Sequence, residues 1–136
     1  MSSTTETALM SLLAPLSGQA VPLEQVPDDV FSQKILGDGI AIIPADGKLY
    51  APVDGEIASI AETLHAYGFT SENGMEILVH VGLDSVALKG EGFKSHVQLG
   101  DKVKKGQLIA EVDLKFLESK GVPTITPVLI CEGAED

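Results

Sequence analysis

Residues 63–93, T-L-H-A-Y-G-F-T-S-E-N-G-M-E-I-L-V-H-V-G-L-D-S-V-A-L-K-G-E-G-F, constrain this chain more than any other stretch. They carry two of its three histidines, His65 and His80, on either side of Asn73-Gly74. Asn-Gly between apolar, β-prone runs is the strongest short-range hairpin signal. A four-residue loop over 71–74 sets His65 directly opposite His80. A two-residue turn at Asn73-Gly74 makes them diagonal neighbours instead. Side chains alternate faces along a strand, so both registers place the imidazoles on one face, roughly 5 to 8 Å apart at Cβ. Thr63, two residues before His65, shares that face. Two imidazoles and a hydroxyl gathered on a sheet surface point to chemistry or metal binding.

Composition narrows the class of partner. The 136 residues suit one domain with a real core, and 44% hydrophobic content excludes a disordered chain. A net charge of −11 argues against nucleic acid or an anionic membrane, and fits a partner with a basic docking face. The N-terminus lacks the basic region of a signal peptide, and no apolar run approaches the roughly 18 residues that span a bilayer. A single cysteine, Cys131, permits no internal disulfide and fits a cytoplasmic protein. Its apolar setting at 128–131 makes it a small buried hydrophobe.

Turn signals recur along the chain. Residues 1–13 read as a tail or linker remnant, and 14–136 as the domain. Short strands are expected over 20–23 and 40–43, and on both sides of the Asp54-Gly55 turn. Residues 57–69 and 75–81 form the arms of the histidine hairpin. Further strands fall at 97–99, Val103, 108–112 and 128–131. A helical turn is expected after Pro27, and a brief helix over 113–119 with Asp113 as its cap and Leu114 and Leu117 inward. Gly or Asp-Gly turns every 8 to 12 residues spell an all-β fold. We expect a compact antiparallel β-sandwich or barrel-sandwich hybrid with one or two short helical turns. Ala51-Pro-Val-Asp-Gly-Glu-Ile and Gly100-Asp-Lys-Val-Lys-Lys-Gly-Gln are turn phrases found in sandwiches of the biotinyl and lipoyl type.

An ordered set of phrases carries a resemblance. They are Ala14-Pro-Leu-Ser-Gly, Val26-Pro-Asp-Asp-Val-Phe, Gly37-Asp-Gly-Ile-Ala-Ile, Ala51-Pro-Val-Asp-Gly, Glu62-Thr-Leu-His and Glu76-Ile-Leu-Val-His-Val-Gly-Leu-Asp. Leu88-Lys-Gly-Glu-Gly-Phe, Gly100-Asp-Lys-Val and Thr126-Pro-Val follow. Together, over about residues 14 to 131 and with 15 residues between the histidines, the chain resembles the glucose-type enzyme IIA of the bacterial phosphoenolpyruvate-dependent sugar phosphotransferase system. The resemblance implies a phosphocarrier. It would take a phosphoryl group from the phosphocarrier protein HPr and pass it to a cysteine of enzyme IIB. By the same resemblance His80 is the phosphorylated nucleophile, His65 steadies the phosphoryl group, and Thr63 orients His65. Phe31, Ile35, Leu36, Leu78, Val81, Asp84 and Val86 match the family's docking surface around the histidines. Where the family often has an aromatic residue near His65, Ala61 stands here.

This role is chemically coherent. A neutral imidazole offers a nucleophilic nitrogen near pH 7. Phosphoryl transfer asks mainly for positioning and charge stabilisation, which a second imidazole held by a hydroxyl can supply. A phosphohistidine donor needs no nucleotide, and the chain has no G-x-x-x-x-G-K-[ST] loop. No cofactor is implied. His96 matches none of the phrases and reads as a surface residue, and Lys102, Lys104 and Lys105 as a solvated turn. Two histidines are too few for a tight zinc site, although they could serve as ligands in an interface completed by a partner.

Other classes fit less well. A biotinyl or lipoyl carrier needs its modified lysine in a different context from Lys89. A zinc peptidase of the LytM type needs an H-x-H phrase that is absent, though His80-x-x-x-Asp84 copies one of its ligand phrases. A non-catalytic regulatory module of the same fold would be marked by loss of phosphorylation, and both histidines are present. Members of the resembled family usually continue for about twenty or thirty residues past the Thr-Pro-Val strand. An open sheet edge is therefore expected, with marginal stability or edge pairing between copies.

Overall fold

The structure is a computed structural model of the chain and describes residues 16, 18–23, 26, 38–72, 74–83 and 88–131. Its strands are β1 (Gly18–Pro22), β2 (Asp38–Pro44), β3 (Lys48–Tyr50), β4 (Gly55–Ile60), β5 (Ala66–Ser71), β6 (Glu76–His80), β7 (Phe93–Ser95), β8 (Lys102–Val103), β9 (Leu108–Val112) and β10 (Thr126–Cys131). The one helix among the described residues, α1, spans Leu114–Ser119. Seven strands form one sheet in the order β1-β2-β10-β6-β5-β4-β8, and three form the other in the order β3-β9-β7. Every ladder is antiparallel. The expected all-β sandwich is therefore present, as an open pair of sheets rather than a closed barrel.

Period-two alternation builds the core. On β6, Ile77 and Val79 are buried while Glu76 is exposed and Leu78 and His80 are half-buried. Ile77 and Val79 join Ile57, Tyr67, Phe69 and Val128 of the large sheet, and Leu49, Ile109 and Val112 of the small one, in a single cluster. Each such side chain contributes about 1.5–3 kcal/mol on burial. The opposite face of the large sheet carries a second cluster, in which Val21, Ala41 and Leu129 are covered by Leu23, Val26 and Leu83, with Leu78 packed against it. His80 belongs to this second face.

Asp113 caps α1 as expected. Its carboxylate accepts a hydrogen bond from the Phe116 amide at 3.1 Å, and Leu117 is fully buried. The two turn phrases pack on each other. The Ala51 amide donates to the Gln107 carbonyl, and the Gly106 amide to the Ala51 carbonyl, both at 2.9 Å. The Lys105 amide donates to Asp54 Oδ1.

Three expectations need correction. Residues 57–69 are not one arm of a hairpin. They divide into β4 and β5, which pair with each other through a reversal at 61–65. The Leu64 amide donates to the Ala61 carbonyl, and the Ala61 amide to the Ala66 carbonyl, closing that turn. Leu64 takes φ 61°, a left-handed conformation uncommon for leucine, so no Gly or Asn marked the turn in the sequence. The strand expected at 97–99 is absent, and β7 lies earlier, at Phe93–Ser95. The strand expected immediately before the Asp54-Gly55 turn is absent at 51–53, which bends instead, and the nearest strand is β3 at Lys48–Tyr50. The expected helical turn after Pro27 lies outside the described residues, as does the side chain of Cys131.

Candidate functional site

The hairpin of β5 and β6 adopts neither anticipated register. Ala66, not His65, pairs with His80, and the ladder runs through Gly68–Leu78 to Thr70–Glu76. The Ser71 amide donates to the Met75 carbonyl and the Gly74 amide to the Ser71 carbonyl, so three residues form the loop. Gly74 has φ 88°, the left-handed conformation that ends a three-residue hairpin loop. Strict alternation from this register would send His65 to the face opposite His80. Yet the two imidazoles meet edge to face, with centroids 4.8 Å apart and planes at 77°. His65 escapes alternation because it precedes β5 and follows the left-handed Leu64. It stays tethered to the end of the ladder, its carbonyl accepting from the Val81 amide at 2.7 Å.

Each ring is held from behind through Nδ1. The chain turns at Gly82, φ 77°, and brings the Gly82 carbonyl within 2.7 Å of His80 Nδ1. A carbonyl only accepts, so Nδ1 carries the proton, and in the neutral ring Nε2 is the nucleophilic nitrogen. Thr63 Oγ1 lies 2.6 Å from His65 Nδ1. When the hydroxyl donates, the proton of His65 resides on Nε2, which becomes a donor. His65 is 8% exposed. Burial, and secondarily the neighbouring His80, hold its pKa below the ordinary value of 6.5. His65 is therefore neutral at pH 7.

The sheet surface beside His80 is low and apolar. Ala66 faces His80 and Gly68 faces Leu78 on adjacent strands. A shallow, mostly apolar hollow of about 270 Å³ lies along Ala58, Ser59, Gly68 and Leu78, with the exposed Glu76 also in its lining. A Cβ at Gly68 would fall 2.2 Å from Ser59 Oγ, so the Ser59 hydroxyl would have to turn aside to admit one. Sequence reasoning missed Ala66 and Gly68 in this setting. Their signal was the pairing register, which the sequence alone did not settle.

The proposed docking residues divide. Leu78 is half-buried on the histidine face. Val81 is fully buried in the core between the sheets and presents no surface, because it follows His80 and points the other way. Phe31, Ile35, Leu36, Asp84 and Val86 lie outside the described residues. His96 is on the surface, 2.7 Å from Glu111, whose carboxyl it holds below the usual range. Lys102, Lys104 and Lys105 are exposed. No cluster of three or more metal-ligating side chains exists among the described residues. No helix among them is long and apolar enough to cross a membrane.

Residues 10–135 match the family described as phosphoenolpyruvate-dependent sugar phosphotransferase system, EIIA 1. The chain belongs to this family. A glucose-specific EIIA component from Oceanobacillus iheyensis is 46% identical over 121 residues, which cover 89% of this chain and 73% of that protein. A glucose-specific EIICBA component from Staphylococcus saprophyticus is 47% identical over 121 residues, and a glucosamine-specific EIICBA component from Bacillus subtilis 48% identical over 126. The chain spans only 18% and 20% of those two longer proteins. The glucose permease IIA of Mycoplasma capricolum superposes with a TM-score of 0.84 at 39% identity, over 88% of this chain and 77% of that one. The family's role is that of phosphocarrier in sugar uptake, and the chain is a component of a phosphotransferase system.

Proposed function

We propose that His80 receives a phosphoryl group on Nε2 from phosphorylated HPr and passes it to a cysteine of enzyme IIB. The observation that carries this reading is the orientation of His80. Its Nδ1 is bonded to the Gly82 carbonyl and its ring faces a second, neutral imidazole 4.8 Å away. In the forward step the Nε2 lone pair attacks phosphorus, the donor's P–N bond breaks, and its electron pair returns to the donor imidazole. His65 Nε2–H, set by Thr63, donates to a phosphoryl oxygen as charge builds there. No proton need leave His80 through bulk water, because its only N–H stays on Nδ1. Transfer onward reverses the geometry, with a thiolate as the attacking group. The apolar hollow beside Leu78 and Gly68 supports close docking of both partners, which excludes water from the transfer.

The relay runs in the cytoplasm. The sugar is selected by the membrane-bound partner. The relatives' names mention glucose and glucosamine, and nothing in the histidine site distinguishes between them. The test is incubation with phosphoenolpyruvate, enzyme I and HPr, followed by intact mass. The expected result is one acid-labile phosphoryl group on the wild type and none on His80→Ala. A phosphoryl group retained by His80→Ala, or an acid-stable one, overturns the assignment.

A further inference from the structure

A single peptide unit connects His80 to the far end of α1. The sheet does not orient that unit. Strand β6 ends at His80, and the Val81 amide makes one further bond, to the His65 carbonyl. The carbonyl that fixes the His80 ring lies beyond, on Gly82. Gly82 has φ 77°, and with no Cβ it resists rotation of the following peptide plane only weakly. Something else must grip the Gly82–Leu83 peptide for its carbonyl to stay on the ring.

The grip is on its other side. A trans peptide is planar, and its C=O and N–H point in opposite directions. The Gly82 carbonyl accepts from His80 Nδ1 at 2.7 Å. The N–H of the same plane, that of Leu83, donates to the Pro123 carbonyl at 3.1 Å. Turning the plane away from His80 therefore breaks two hydrogen bonds, not one. Both bonds run through one amide, so each polarises the other. The Leu83 side chain is 3% exposed in the second cluster and anchors the plane at its Cα. Pro123 is held in turn by α1. The Gly121 amide donates to the Glu118 carbonyl and the Val122 amide to the Leu117 carbonyl, both at 3.0 Å. Gly121 has φ 72°, which completes a Schellman ending. Leu117 and Val122 are both buried in the main core. The proline ring fixes φ at 123 and restricts Val122 before it. The Pro123 carbonyl thus rides on a short, stiff arm from the end of α1.

We infer that Gly121 and Pro123 are positioning residues for His80, acting through the Gly82–Leu83 peptide. They keep the proton of the neutral ring on Nδ1 and the lone pair on Nε2. The other tautomer puts the proton on Nε2 and blocks attack on phosphorus. This role rests on His80 being the phosphorylated residue. Gly121 suits a test because it is exposed, and a Cβ added there would meet nothing within 4 Å. A substitution at 121 acts only through the backbone.

The experiment compares Gly121→Val with Gly121→Asn. Asparagine adopts the left-handed region, and β-branched valine strongly resists it. Nitrogen NMR of the His80 ring, in unphosphorylated protein at a pH where the ring is neutral, reports the tautomer without any transfer. Wild type and Gly121→Asn should show the Nδ1–H form alone. Gly121→Val should show both tautomers. It should also slow transfer from phosphorylated HPr about 2- to 13-fold in kcat, the worth of one hydrogen bond, with KM unchanged. Pro123→Gly loosens the same arm without disturbing the helix ending. It should give the same pair of changes, and it decides the matter if Gly121→Val does not fold. Folded variants whose His80 keeps the Nδ1–H form overturn this role, even if their rates fall. So does a Leu83 amide that exchanges freely with solvent in the wild type. A phosphoryl group retained by His80→Ala would instead overturn the proposed function, and the tautomer result would stand apart from it.

Discussion

Thr63→Val tests whether the second histidine works through a chosen tautomer. The replacement keeps the shape of the side chain and removes only the hydroxyl that lies 2.6 Å from His65 Nδ1. His65 is 8% exposed, so water cannot take the hydroxyl's place freely. A hydrogen bond of this kind contributes about 0.5–1.5 kcal/mol, which is the bias lost between the two neutral tautomers of His65. The expected slowing of phosphoryl transfer is therefore about 2- to 13-fold. Removing the His65 donor altogether costs about 2.7–4 kcal/mol, or 10²- to 10³-fold. The assay is rapid-quench transfer from phosphorylated HPr and onward to enzyme IIB, with Thr63→Ser as the rescue. Acceptance of the phosphoryl group should persist in Thr63→Val, and Thr63→Ser should recover most of the rate. A Thr63→Val rate as low as that of His65→Ala, or one equal to wild type, would refute a role confined to orienting His65.

Further expectations concern the histidines, pH, metal and packing. His80→Ala should accept no phosphoryl group, whereas His65→Gln should accept one and pass it on about 10²- to 10³-fold more slowly; equal loss of acceptance in both would show that the pair acts as one unit. Because burial lowers the pKa of His65 below 6.5, the unfolded chain binds the proton more readily. Stability should be complete above pH 6.5 and fall as pH drops through the folded pKa. Urea titrations between pH 7.5 and 5 should show this slope reduced in His65→Gln, and an unchanged slope would count against it. Zinc should be removed from the purified monomer by mild chelation, as elemental analysis before and after will show, because His65 and His80 supply only two ligands. Gly68→Ala should destabilise the fold by about 0.5–1.5 kcal/mol, the cost of turning aside the Ser59 hydroxyl that would lie 2.2 Å from the new methyl. Adding Ser59→Ala should recover most of that loss, and thermal melts of the single and double variants will decide it.

The core elements were legible in sequence because period-two patterns are local. The strand at 108–112, the Asp113 cap and the buried Leu117 all follow from neighbouring residues, and each stands where it was read. The histidine pair was legible as a proximity but not as a geometry. Asn73-Gly74 announced the hairpin, yet loops of two, three or four residues share that signal, and one residue of slip exchanges the faces. The three-residue loop put Ala66, not His65, across from His80. The turn at Leu64 had no glycine or proline to betray it, so 57–69 read as one strand.

What the sequence determined by itself was the chemistry available: two imidazoles, a hydroxyl and a glycine two residues beyond the second histidine. Only the tertiary structure decided which nitrogen of His80 can act. That depended on a backbone carbonyl at Gly82 folding back on the ring, and on Leu64 taking a left-handed conformation that brings His65 around the strand end. Val81 shows the same division, since its place in the core follows from the sheet that covers it and not from the residue type. Propensities and spacings are properties of short segments. The tautomer, the face and the burial of a side chain are set by atoms that approach from elsewhere in the chain.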